Sequence, residues 1–346
     1  MRPRASERIS IVAIKVGISG FGRIGRLVFR AMEKDPDFEV VAINGSRDLV
    51  TAAHLLKYDS VHGRVFDSVE VAGDGIEVDG RYVPFYNERN NLADIPWSEH
   101  GVEVVIESTG KYKTGEEAGG HLGGTVRKVI ITAPGKDVDA TIVMGVNEET
   151  YDPEKHHVIS NASCTTNCLA PVVKVLDRAF GIKRGYINTI HSYTNDQQML
   201  DKSHKDLRRA RAGAVSVIPT TTGAAKAVGV VLPHLAGKLD GMASRVPTPD
   251  GSMVDLVVEL EKEVTKDEVN AAVKAASEDY MKGYIEYCTD PIVSVDVVGN
   301  LYSAVFDSQL TMVLGEPSNL IKVIAWYDNE AGYSERVKDL AKYVMQ

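Results

Sequence analysis

Lys15-Val16-Gly17-Ile18-Ser19-Gly20-Phe21-Gly22-Arg23-Ile24-Gly25-Arg26 reads as a buried strand, a tight glycine turn and the start of a helix. Gly20, Gly22 and Gly25 stand at G-x-G-x-x-G spacing, where glycines permit the turn, the close approach of a pyrophosphate and the packing of helix on strand. The motif alone is weak, but its setting strengthens it. Leu27, Val28, Ala31 and Met32 continue as an amphipathic helix, and Glu39 to Ile43 supplies a second strand at the right distance. The segment predicts a Rossmann unit.

Working outward, the second strand runs into Asn44-Gly45-Ser46-Arg47-Asp48. A carboxylate about 20 residues past the glycines would bind the ribose 2′-hydroxyl of NAD. Here glycine, serine and arginine surround that place. A hydroxyl and a guanidinium suit the 2′-phosphate of NADP, which a carboxylate would repel. The other reading gives the ribose to Asp48, slightly late, with Arg47 facing solvent and NAD as cofactor.

Further along, β-rich runs at Val40–Ile43, Val69–Val71, Val102–Ile106, Lys128–Thr132, Thr141–Met144 and His157–Ser160 alternate with helical or turn segments. They predict an α/β, mostly parallel, doubly wound sheet. The second half has long alternating strands (Met253–Leu260, Ser303–Asp307, Val323–Tyr327) around a helix at Lys266–Ala276, which predicts an α+β domain with a largely antiparallel sheet. The division expected is 1–163 and 164–329, with a helix over 330–346. Length (346 residues), 44% hydrophobic and 25% charged residues fit a two-domain enzyme. A formal charge of −9 speaks against nucleic acid, and no apolar run approaches the ~18 residues that span a bilayer. Three cysteines make no disulfide framework and fit the cytoplasm, and Cys164 with Cys168 lacks zinc-site spacing, so no metal is expected. Met1 to Ala13 hold three arginines without the apolar core of a signal peptide and read as a basic arm or an alternative start.

Ser160-Asn161-Ala162-Ser163-Cys164-Thr165-Thr166-Asn167-Cys168 sits at the domain junction, ahead of the apolar run Leu169–Leu176. A cysteine at a helix start feels the helix dipole and unpaired N–H groups, which favour thiolate. Cys164 is therefore a candidate nucleophile with an expected depressed pKa. Tyr186 to His191 reads as a strand ending in a histidine, a candidate base for that thiol. His204 to Arg211, Pro219 to Lys226 and Ser244 to Pro249 read as anion sites, since hydroxyls and helix-start N–H groups cradle phosphate.

Taken in order, these segments resemble phosphorylating glyceraldehyde-3-phosphate dehydrogenases. The resemblance runs from about Ile14 to the C-terminus. It is carried by Gly20–Arg26, Leu56–Ser60, Ser163–Cys168, Asp206–Arg211, Arg245–Pro249 and Trp326–Glu330. It implies oxidation of glyceraldehyde 3-phosphate to 1,3-bisphosphoglycerate through a Cys164 thioester, with His191 as base. Thr194 and Arg245 match the site for the substrate's phosphate. Ser163, Thr165, Arg209, Thr222 and Gly223 match that for the attacking inorganic phosphate. Gly20, Phe21, Gly22, Arg23, Ile24, Gly25, Asn44, Arg89, Ser108, Thr109, Thr132, Asn329 and Tyr333 match cofactor positions. A homotetramer is implied too, the polar stretch Ser192–Ser216 resembling a loop that lies between subunits.

Three positions depart from the family pattern. Gly45 stands where NAD-specific members usually carry aspartate. Lys202-Ser203 replaces a Leu-Pro, and NADP-using photosynthetic members have a serine there, set by a neighbouring subunit near the 2′-phosphate. These departures, with Ser46 and Arg47, point to NADP, NAD or dual use remaining open. Ala331 replaces a common tryptophan. The runner-up reading is an erythrose-4-phosphate dehydrogenase of the same fold, against which the threonines Thr220–Thr222 and Thr194 argue. A papain-like Cys–His hydrolase or a protein used chiefly for binding macromolecules are readings from other classes.

Overall fold

The computed structural model describes residues 13–45 and 48–346. Ser46 and Arg47, and the arm before Ala13, lie outside the described residues.

The first sheet has nine strands: β1 (Ile14–Ser19), β2 (Phe38–Asn44), β3 (Val69–Ala72), β4 (Gly75–Val78), β5 (Arg81–Tyr86), β6 (Val104–Glu107), β7 (Lys128–Ile131), β8 (Ala140–Thr141) and β9 (Val158–Ser160). Their order is β3-β4-β5-β2-β1-β6-β7-β9-β8, parallel from β5 to β8, with β3, β4 and β5 joined antiparallel. The order reverses between β2 and β6, both paired with β1, so the ends of β1, β2 and β6 open a crevice there. Helix α1 (Arg23–Met32) follows β1, and α2 (Leu49–Lys57) follows β2. The expected strand over Thr141–Met144 stops at Thr141. Beyond it the Asn147 amide accepts from Val143 N–H at 2.9 Å and donates to Thr141 C=O at 2.9 Å, taking backbone groups a partner strand would need.

The second sheet runs β11 (Ile218–Thr221), β12 (Leu239–Val246), β10 (Ile182–Ser192), β13 (Ser252–Val264), β17 (Ser318–Tyr327), β15 (Ala304–Asp307), β14 (Ile285–Cys288), with β16 (Met312–Val313) on β17. It is largely antiparallel; β10 with β12 and β14 with β15 are the parallel pairs. Helices α4 (Cys164–Phe180), α5 (Ala224–Val231) and α6 (Lys266–Glu278) cover one face, and their apolar residues share a core with Leu256, Val258 and Phe306. The last helix, α7 (Ala331–Met345), turns Tyr333, Val337, Leu340 and Val344 into the core that holds Val28, Phe29 and Met32 of α1. Burying such side chains stabilises by about 1.5–3 kcal/mol each, so α7 joins the first sheet firmly. A shorter helix, α3 (Gly115–Ala118), precedes β7. Among the described residues no helix is long and apolar enough to cross a membrane.

Candidate active site

Cys164 is the first residue of α4, and the turn that delivers it is strained. Ala162 holds φ +55° in the buried stretch before it, a conformation that costs a β-carbon-bearing residue roughly 1–2 kcal/mol. Tyr333 Oη donates to Ala162 C=O at 2.9 Å, and Asn167 Nδ2 donates to Asn161 C=O at 2.8 Å. Ser163 caps the helix, its Oγ accepting from Thr166 N–H at 3.1 Å. Cys168, one turn further in, is fully buried.

Cys164 Sγ lies 3.4 Å from His191 Nε2. His191 reaches it from near the end of β10, where the parallel register sets Arg245 of β12 directly beside it. Arg245 is a strand residue, one position from the end of β12 and beside the turn that follows. The imidazole is 3% exposed; its Nδ1 stands 2.7 Å from Ser192 C=O, which also accepts from Arg245 Nη1 at 3.0 Å. The shorter contact, to an oxygen that can only accept, puts the proton on Nδ1 although Arg245 Nη1 also stands 2.9 Å from it, and leaves Nε2 as the lone-pair nitrogen facing sulfur. Burial, then the Arg245 charge, brings the His191 pKa down to about 3, so the ring is neutral at physiological pH.

The thiol departs from expectation. Burial pushes Cys164 above its ordinary pKa, and the Arg245 charge and Thr165 hydrogen bonds only partly oppose this. The helix start is present, but the sulfur is too poorly solvated for it to prevail. The resting pair is a thiol beside a neutral imidazole. Arg245 Nε is buried without a hydrogen-bond partner among the described residues, a cationic donor suited to an anion.

A cleft of about 700 Å³ joins this pair to the glycine turn. It gathers Gly22, Arg23, Ile24, Ser108, Thr109, Thr132, Ser163, Cys164, His191, Thr194, Asn329 and Tyr333. A dinucleotide fits the turn. Gly20 has φ +93°, and a Cβ there would meet Thr109 N at 2.4 Å; a Cβ on Gly25 would meet Gly20 O at 2.0 Å. Gly22, by contrast, faces open space and caps α1 without a side chain, so the first N–H groups of the helix are left for a pyrophosphate. Ser108 Oγ, also buried in the cleft wall, has no partner among the described residues.

Other residues singled out from sequence do different work. Phe21 packs its ring edge-on against Phe29 and Phe85, each 5.8 Å away. Arg23 reaches across to Glu330 with Nε and Nη2 and to Asp59 with Nη2, so these two nitrogens are drawn away from the turn. The Asn44 amide clamps Glu88, accepting from its N–H at 2.8 Å and donating to its C=O at 3.0 Å. That clamp holds the loop carrying Arg89, which is exposed outside the cleft. Thr165 Oγ1 pairs with Tyr327 Oη at 2.9 Å in the core, leaving its N–H at the sulfur. Arg209 binds Asp196 and Thr220, and Thr222 Oγ1 accepts from Ala224 N–H beside Gly223 at the start of α5. Ser203 is exposed and away from this chain's own cleft.

The sequence reading missed the acidic seam under Asn329. Asn329 Oδ1 accepts from Ser252 Oγ at 2.6 Å. On either side of it, Asp328 and Glu330 meet His62 and Asp250. Asp250 is 2% exposed, and its Oδ2 has no hydrogen-bond partner among the described residues. Burial first, then the neighbouring Asp328 charge, raises its carboxyl far above the usual range. Nothing in the local sequence Pro247-Thr248-Pro249-Asp250 announces a contact with residues near 62 and 328.

Two family models match the chain: the NAD binding domain of glyceraldehyde 3-phosphate dehydrogenase over residues 14–115, and the C-terminal domain of the same enzyme over residues 163–329. Among curated proteins, the chain is 60% identical over 335 residues to glyceraldehyde-3-phosphate dehydrogenase of Geobacillus stearothermophilus, covering 96% of this chain and 98% of the relative. It is 58% identical to glyceraldehyde-3-phosphate dehydrogenase 1 of Bacillus cereus (95% and 98% covered). It is 57% identical to glyceraldehyde-3-phosphate dehydrogenase 2 of Streptomyces avermitilis (96% and 99%).

Proposed function

Because this chain belongs to the glyceraldehyde-3-phosphate dehydrogenase family and has that NAD(P)-dependent, phosphorylating activity, we propose that Cys164 and His191 carry the chemistry. The observation behind this assignment is the 3.4 Å contact between Sγ and Nε2 in a cleft shared with the glycine turn. Cofactor binding falls to residues 1–163 with the returning 330–346 helix, and the chemistry to residues 164–329.

As Sγ adds to the aldehyde carbon, the thiol proton passes to His191 Nε2 and on to the carbonyl oxygen, giving a hemithioacetal. Nε2 then removes the hydroxyl proton while hydride leaves the same carbon, and the carbon becomes a thioester. The bound dinucleotide supplies the hydride acceptor. The neutral state of His191 leaves it free to take these protons, and it releases the last one to water. Inorganic phosphate then forms a C–O bond to the acyl carbon as the C–S bond breaks, and the phosphate's proton passes through His191 to the departing sulfur, returning Cys164 as the thiol. A thioester retains the free energy of the oxidation, so phosphate rather than water collects the acyl group. Arg245 and Thr194 hold the substrate's phosphate. Ser163, the Thr165 N–H, Arg209, Thr222 and Gly223 hold the attacking one.

NADP is the preferred cofactor on this reading. Asp48 is committed as the N-cap of α2, accepting from the N–H and hydroxyl of Thr51, so it is a poor ribose ligand. No carboxylate stands at Gly45. Asn329 and Tyr333 lie at the nicotinamide end. The assembly is a homotetramer: Met199, Leu200, Leu207, Val215 and Val217 are between 64% and 82% exposed on one long segment, an apolar load that a neighbouring subunit would cover. Three free cysteines agree with a cytoplasmic setting. Initial rates of glyceraldehyde 3-phosphate oxidation with NADP against NAD, in saturating phosphate, test the cofactor assignment. An NAD preference defeats it. Substantial oxidation by Cys164→Ser defeats the nucleophile, and a rate indifferent to phosphate favours the erythrose-4-phosphate alternative.

A further inference from the structure

We infer that Phe85 is a specificity-determining residue of the cofactor site: its ring fills the space in which a ribose-binding carboxylate would stand, and so enforces glycine at position 45. The inference rests on the cofactor reading above only for which nucleotide gains by it.

Gly45 follows β2 directly, the place from which a Rossmann fold presents an acid to the ribose 2′-hydroxyl. Its backbone is not in the left-handed region, so conformational freedom does not explain the glycine. Space does. A Cβ at Gly45 would lie 2.5 Å from Phe85 Cζ, 3.0 Å from Cε1 and 3.1 Å from Phe21 Cβ. Reaching ordinary carbon contact requires a shift of about 1 Å.

Neither side is free to give it. Gly45 N–H donates to Tyr86 C=O at 2.9 Å, and the parallel register pairs Ile43 with Phe85 and Asn44 with Tyr86. The Asn44–Glu88 clamp closes the same corner from beyond. The Phe85 ring is braced edge-on by Phe21, Phe21 by Phe29 and Phe29 by Phe66, centroids 5.8 to 5.9 Å apart. An aspartate at 45 would have to push against this aromatic row. Phe85 therefore acts through exclusion: while it stands, the subsite presents an apolar ring where a 2′-hydroxyl would find an acceptor.

A double-mutant cycle tests this, with dissociation constants for NADP and NAD measured calorimetrically alongside melting temperatures. Gly45→Asp alone should destabilise the protein and tighten NAD binding less than twofold. Phe85→Val alone should change the NADP to NAD preference less than threefold. Together they should tighten NAD and weaken NADP at least tenfold each. A smaller pair guards against misfolding: Gly45→Ala should lower the melting temperature when made in the wild-type chain, and should not when made in the Phe85→Val variant. Additive effects, or full NAD gain from Gly45→Asp alone, overturn the inference. The wild-type affinity ratio reports separately on NADP preference. If that ratio favours NAD, the cofactor reading fails, while non-additivity at 45 and 85 still upholds the exclusion.

Discussion

Replacing Asp250 by asparagine should stabilise the protein, by an amount that grows with pH. Asp250 Oδ1 accepts from Gly251 N–H at 2.9 Å, but Oδ2 is buried without a hydrogen-bond donor, 3.3 Å from His62 Nε2. Asp328 beside it is well served, accepting from Gly299, Glu330 and Ala331 N–H groups at 2.7 to 2.8 Å. The proton is therefore retained on Asp250, whose carboxyl is raised by burial and by Asp328. In the unfolded chain an aspartate ionises near about 3.9. Above that pH the folded protein binds one more proton than the unfolded chain. Stability then falls as pH rises, levelling off only once the folded pKa is passed. The slope is about 1.4 kcal/mol per pH unit, or roughly 3 kcal/mol between pH 5 and 7. For 346 residues the unfolding entropy converts this to roughly 2 °C in melting temperature per pH unit. The asparagine keeps the shape and the Gly251 contact and carries no such proton. Melting temperatures of both proteins at pH 5, 6, 7 and 8, in NAD(P)-free buffer of constant ionic strength, check the prediction. A difference that stays flat or shrinks with pH would refute the buried-proton argument.

His191→Gln should lower single-turnover reduction of the cofactor by roughly 10²–10⁴, the range expected for losing a positioned base; a loss under tenfold would remove Nε2 from the proton path. Arg245→Met removes the cation that lowers the pKa values of both neighbours, so the His191 titration followed by NMR should move up and Cys164 alkylation at pH 8 should slow. No change in either would mean burial alone sets them. Tyr327→Phe deletes the hydroxyl shared by Thr165 and Thr189 at 2.9 and 2.8 Å, and urea unfolding should report a loss of about 1–3 kcal/mol. A neutral result would show that the two threonines re-pair.

The glycine turn, β2, the helix behind Cys164 and the last helix could all be read locally, because each is fixed by spacing within a dozen residues. The thiol and the histidine could be read locally as candidates, but their 3.4 Å contact could not. What escaped was set by register and burial between distant segments. Arg245 could be read as an arginine beside a turn in Ser244-Arg245-Val246-Pro247, but only the pairing of β10 with β12 puts it beside His191. The thiol looked activated by its helix, yet a helix start visible in sequence says nothing of how much water the sulfur keeps. Tyr333, matched to a cofactor position, also ties α7 to the strained Ala162 turn across 171 positions of sequence. The Asp250 seam and the Phe85 ring over Gly45 are likewise contacts between segments that no local pattern links.

One guanidinium at 2.9 Å from His191 Nδ1 makes opposing demands on the pair it serves. Its charge favours the thiolate form of Cys164 and disfavours the imidazolium that must receive the proton. Burial, the larger cause at both groups, makes transfer from sulfur to nitrogen uphill, and the pair rests neutral, which protects the thiol from adventitious oxidation and alkylation. On the proposed assignment of the substrate's phosphate to Arg245, the dianion answers the unpaired Nε and cancels much of the field at His191. The base then strengthens when the aldehyde is in place and not before. Burial works in the same direction: at low effective dielectric a phosphate a few ångströms away changes the imidazole's proton affinity by far more than it would in water. On that same assignment, the strand register that sets Arg245 opposite His191 would couple recognition of the substrate's anionic end to proton transfer at its aldehyde end.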